Sequence, residues 1–132
     1  MIEVEIKNSL ETRVDGLTWS ANYRTAQDDY GVVYYEGGDS INQNDESGTE
    51  RLLFQVEICS SNFDKSKYKA HEVYKLLHRR GNIKFESSYE DITVRSYLHS
   101  IMAETPPIRV GVIDDKMIYT INFVAIVTPY CD

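Results

Sequence analysis

Thr105-Pro-Pro-Ile-Arg-Val-Gly-Val-Ile-Asp-Asp-Lys-Met-Ile-Tyr-Thr-Ile-Asn-Phe-Val-Ala-Ile-Val-Thr-Pro129 carries a strand break, a turn and a long strand in close succession. Pro106 and Pro107 lack the amide donors that a ladder requires, so they end the strand before them. Asp114 and Asp115 lie between two apolar runs, where a turn is expected because aspartate bonds its own backbone there. A weak cation site is the other use of such a pair. Beyond the turn, Met117, Tyr119, Ile121, Phe123, Ala125 and Val127 share one face of a long strand. No catalytic group lies in the stretch, which points to a structural part of an assembly rather than to an enzyme.

N-terminal to this stretch, Ile92, Val94, Ser96, Leu98, Ser100 and Met102 alternate with Thr93, Arg95, Tyr97, His99 and Ile101, as in a long strand. Ile83 and Phe85 suggest a short edge strand. Residues 64–80 have the strongest helical pattern. Asp64 can cap the start, Ala70, Val73, Tyr74 and Leu77 form an apolar stripe, and Gly81 is placed to stop the helix. Leu52, Phe54, Val56 and Ile58 share one face of a clear amphipathic strand. Residues 31–36 read as a strand apolar on both faces, inside the sheet, and Leu17, Trp19, Ala21 and Tyr23 as a half-buried one.

Residues 2–14 fit two patterns. Ile2, Ile6 and Leu10 recur every fourth position, as on a helix, whereas Ile2, Val4 and Ile6 alternate, as on a strand. Asn8, Ser9, Glu11 and Thr12 are poor strand formers, so a short helix ending before Gly16 is expected. Residues 37–48 contain one apolar side chain, Ile41, too little to anchor a packed element, and read as an exposed flexible loop or arm. The expected fold is therefore one α+β domain over residues 1–132. Its sheet is mostly antiparallel, with a short N-terminal helix and one central helix packed on it.

The chain carries 14 Lys+Arg against 21 Asp+Glu, a formal charge of −7. Such a surface does not gain affinity from phosphate contacts, so DNA wrapping is a poor reading, although DNA could pass close by without being gripped. The N-terminus lacks the basic and apolar regions of a secretory signal. No apolar run approaches the ~18 residues of a membrane span. The chain thus reads as cytoplasmic and soluble, with Cys59 and Cys131 as free thiols.

No cofactor, metal or catalytic site is expected. His71 and His78 would lie about 10 Å apart along a helix, too far to share one metal ion. The pairs Asp28-Asp29, Glu90-Asp91 and Asp114-Asp115 are adjacent in sequence, which marks turns rather than carboxylates converging on a cleft. Phosphate-loop and nucleophile-elbow motifs are absent. Tyrosine is the compositional outlier, with ten against one Trp and four Phe. Tyrosines serve interfaces as well as half-buried sheet faces, and composition does not separate the two. The candidate oligomer or partner contacts are Tyr30, Tyr34, Tyr35, Asp39, Asn42, Asp45, Arg109, Asp114 and Asp115.

Four segments, taken in order, resemble the phage tail terminator and tail completion proteins, a family that includes minor capsid and minor tail proteins. Asp28-Asp-Tyr-Gly-Val-Val-Tyr-Tyr-Glu-Gly-Gly38 looks like the family's early strand leading into a long loop. Phe54-Gln-Val-Glu-Ile58, within residues 49–60, looks like the strand after it. Residues 64–80 look like the central helix. Ile108-Arg-Val-Gly-Val-Ile-Asp-Asp115 after the double proline, then Tyr119-Thr-Ile-Asn-Phe123, looks like the closing segment. The family's N-terminal helix would match residues 2–14.

The resemblance implies a non-enzymatic ring, commonly a hexamer, in the virion tail, assembled in the host cytoplasm. Such a ring sits on the tail tube protein, ends tube polymerisation and meets the head–tail connector proteins. DNA crosses its lumen without specific binding, and no membrane is involved. The alternatives are a head–tail adaptor of the same assembly and, lower, an acidic DNA mimic that inhibits a host protein.

Overall fold

The computed structural model describes residues 2–40 and 48–130. It contains α1 (Ile2–Arg13), β1 (Thr18–Ala21), β2 (Tyr30–Ser40), β3 (Glu50–Ser60), α2 (Phe63–Leu77), β4 (Ile83–Tyr89), β5 (Ile92–Ala103), β6 (Ile108–Ile113) and β7 (Lys116–Pro129). The class is α+β, and the sheet is mixed. β1 runs parallel to β2, and the other pairings are antiparallel. None of the helices is long and apolar enough to cross a membrane, among the described residues.

The sheet runs β1-β2-β3-β7-β5-β4, with β6 also pairing with β7. β7 has β3 along one flank. Its other flank is shared, with β6 opposite Lys116 to Thr120 and β5 opposite Phe123 to Pro129. β5 and β6 thus run in one direction along the same neighbour, separated by the proline segment.

Register explains the core. Val33 faces Val56, which faces Ile121, and Phe54 faces Phe123. These side chains are 0–2% exposed. They join Ile6 and Leu10 of α1 and Ala70, Val73 and Leu77 of α2 in one apolar cluster. Each such aliphatic or aromatic contributes about 1.5–3 kcal/mol through burial. α1 buries Ile2, Ile6 and Leu10, the helical alternative of the two patterns, with Glu3 and Glu5 in its first turn and Arg13 in its last, as the helix dipole favours. Trp19 Nε1 donates to the Val14 carbonyl at 3.1 Å and ties β1 to the end of α1.

Several local expectations change. The cap of α2 is Asn62 rather than Asp64, because its side chain accepts from the Lys65 amide at 3.2 Å. α2 ends at Leu77, before the expected Arg80. The backbone then turns through Arg79 at φ 68°, and the Arg79 amide donates to the Ile101 carbonyl, so the segment pairs with β5 instead of continuing the helix. Gly81 has a different task from stopping the helix: a Cβ there would lie 2.1 Å from the His99 carbonyl oxygen.

In β5 a register shift between Leu98 and Ser100 changes the facing of the strand. Leu98 and Ile101 both enter the core, while Met102, expected on the face of Leu98, is 41% exposed. β4 is longer than expected and reaches Tyr89. The expected loop start at Gly37 also moves. β2 continues through Gly37-Gly38-Asp39 to Ser40 across a register shift, aided by the positive φ of Gly37 and by the close approach of Gly38 to the Arg51 carbonyl. Only the part of that arm at residues 41–47 lies outside the described residues.

Candidate functional site

The candidate contact residues fall into two groups separated by β3 and β7. The first is on β2. Tyr30 is 3% exposed and belongs to a second small cluster with Val32, Cys59 and Ile118, on the sheet face opposite the helices. Tyr34 is half-buried on that same face, beside the hydrogen-bonded rung of Gln55 and Asn122. Tyr35 points the other way, 45% exposed, with its ring 5.7 Å from that of Phe54. Asp39 takes two hydrogen bonds from Arg51, at 3.1 and 3.2 Å, and so braces the β2–β3 hairpin. Asn42 and Asp45 lie outside the described residues.

The helix-free face also holds a group of interacting ionisable residues around Arg24 that sequence reasoning did not find. The Arg24 guanidinium lies over the Tyr30 ring, 5.5 Å from its centroid. Burial pushes the Tyr30 phenol up to about 12, against the opposing pull of Arg24. Burial likewise raises Glu57, again opposed by Arg24, and raises the Cys59 thiol. A buried thiol with a raised pKa is a poor nucleophile at neutral pH. Only the folded register brings Arg24, in the connection after β1, to strands β2 and β3, so no spacing in the sequence signals it.

The second group is the β6–β7 hairpin. Asp114 and Asp115 have φ of 53° and 63° and connect the paired residues Ile113 and Lys116. Two central residues with positive φ form the type I′ turn that suits the twist of a hairpin. Arg109, Asp114 and Asp115 are exposed and form no ion pair among the described residues.

A groove of about 310 Å³ also opens between α1, the end of α2 and the β4–β5 hairpin. Its floor includes Ile6, Leu77, Phe85 and Ile101, and Arg80 reaches Ser9 Oγ at 3.4 Å on its rim. The apolar stripes of α1 and α2 signal the floor, but not the gap between them.

His78 and His99 have structural contacts. His78 Nδ1 accepts the Ala103 amide at 3.0 Å and its ring stacks on Tyr74. His99 Nε2 is 2.7 Å from Thr128 Oγ1, and His71 is exposed. The Asp28 carboxylate is held below the usual range by the Ser61 hydroxyl and amide, while Asp29 accepts from Ser60 Oγ and pairs with Lys65. That pair therefore fastens the turn before β2 to the start of α2. Among the described residues, no three His, Cys, Asp or Glu side chains are placed to hold a metal ion. No family model and no curated protein matches the chain.

Proposed function

We propose that this chain is a structural subunit of a phage tail, one that caps the tail tube as a ring, ends tube polymerisation and forms the tail side of the head–tail junction. The observation that carries this reading is the order of elements. An N-terminal helix, two strands, a third strand beyond residues 41–47, a central helix and a closing run of strands follow one another, and the resemblance rests on that order. A sheet whose outer strands have a free flank among the described residues supplies surfaces through which identical subunits can meet head to tail around a closed ring. The net charge of −7 suits a passage that DNA crosses without being held.

The acidic-mimic alternative requires free carboxylates spaced along one face. Asp15, Asp29, Asp39, Glu72 and Glu86 are instead paired with lysines and arginines at 2.8–3.4 Å. Such pairing blunts the field that a basic groove would read.

Negative-stain microscopy of the full-length protein, alone and mixed with purified tail tubes, tests the proposal. Rings at tube ends, together with arrested tube growth, are expected. A protein that never binds tubes, at any ratio, would overturn the reading.

A further inference from the structure

Among the described residues β6 is an outer strand with one flank unpaired, and it is the most apolar of the outer strands. Ile108, Val110, Val112 and Ile113 are 42%, 51%, 46% and 54% exposed. β1, by contrast, has only four residues, with Trp19 and Ser20 buried. β4 packs Ile83 and Phe85 against the core. An exposed apolar edge offers backbone donors and acceptors to an added strand, and side chains on both of its faces gain burial from the pairing.

Charge selects the occupant. The strand has a cation near its start, Arg109, and two anions just past its end, Asp114 and Asp115, all three exposed. A parallel copy would place like charges together. An antiparallel copy places each Arg109 against the opposite copy's acidic turn. Backbone geometry fixes the centre. The two-residue turn makes Ile113 and Lys116 the hydrogen-bonded pair of the hairpin, so the groups of the preceding residue, Val112, point to the free flank.

We propose that β6 pairs antiparallel with β6 of a second copy of this chain, with Val112 opposite Val112 on a twofold axis. β6 is bulged between Arg109 and Gly111 and the chain reverses at Asp114-Asp115, so the ladder is short and each Arg109 lies near the other copy's acidic turn as a whole. The contact is isologous, whereas neighbouring subunits of a cyclic ring meet through heterologous contacts, so this pairing belongs to the free protein and does not rest on the ring reading. While it holds, the apolar edge is covered.

Sedimentation equilibrium of the full-length protein tests the pairing. A dimer is expected for the wild type. R109D and D115R should each weaken it at least about tenfold, and R109D/D115R should restore it. Circular dichroism establishes that each variant is folded. Separately, V112C in a C131S background should couple to a dimer with a short bismaleimide. A monomeric wild type, an R109D dimer of unchanged strength, a double variant that stays weak, or failed coupling overturns the proposal. Tube capping by a monomeric R109D protein would leave the ring reading intact.

Discussion

Gly31 leaves vacant the space that the Trp19 ring fills. The two residues are register partners across the parallel β1–β2 pair, and a Cβ on Gly31 would lie 2.5 Å from Trp19 Cζ3. Trp19 is 6% exposed and anchored through its indole N–H, so it has little room to withdraw. Gly31→Ala should therefore cost about 1–3 kcal/mol, the usual range for overpacking. Urea unfolding measures it. Trp19→Leu should reduce the penalty when combined with it, and a penalty that is the same in both backgrounds would refute the contact.

Gly81→Ala should be at least as damaging, for a different reason. The obstacle is a backbone carbonyl, His99 O at 2.1 Å, rather than a side chain. Relief requires opening the bridge between Arg80 and Ile101 that docks the α2 exit onto β5. A loss at the upper end of ~1–3 kcal/mol is expected. Faster hydrogen exchange at the Ile101 and Arg79 amides should accompany it.

Glu57 makes stability fall as pH rises. Burial raises its folded pKa above the ordinary glutamate value, so the folded state binds the proton more readily than the unfolded chain. At pH below the ordinary value, about 4.3, both states are protonated and no penalty exists. As pH climbs through the raised folded value, the native state must hold a half-buried charge. Glu57→Gln should thus melt higher than wild type at pH 7, with the gap closing toward pH 4. A gap that widens on acidification would reverse the assignment.

The Asp114-Asp115 turn can be improved. Both residues hold φ above +50°, a region that glycine enters freely and that type I′ turns fill with Asn-Gly. Asp115→Gly should raise stability by up to about 1 kcal/mol in thermal melts. The same change should weaken self-association, because it removes one of the two anions of the turn that would lie near the other copy's Arg109. A variant that is both more stable and more strongly dimeric would argue against that pairing.

Much of this fold was legible in local pattern. The alternation of Phe54, Val56 and Ile58, and that of Ile121, Phe123 and Ala125, matches the buried face of β3 and β7. The stripe at Ala70, Val73 and Leu77 matches the packed face of α2. What escaped depended on partners distant in sequence. The shift at Leu98 that turns Ile101 inward has no composition cue, and Arg79 leaves the helix because a carbonyl of β5 accepts its amide. Gly37-Gly38 looked like loop, yet Gly38 is glycine because Arg51 passes so close. The candidate contacts on β2 and on the hairpin looked like one set in the sequence, whereas two central strands keep them apart.

The position of β7 also bears on how the sheet assembles in time. It completes the ladders of β3, β5 and β6, and all three precede it in the chain. Its pairing with β3 joins Ser60 to Met117 and Glu50 to Val127, so the largest loops must close before the central rungs reward them. Non-local closure of this kind slows folding. During the interval β3, β5 and β6 each wait with an open flank, and crowding of nascent chains is most hazardous then. Yield on overexpression should therefore depend on temperature and synthesis rate more steeply than the stability of the finished protein alone implies.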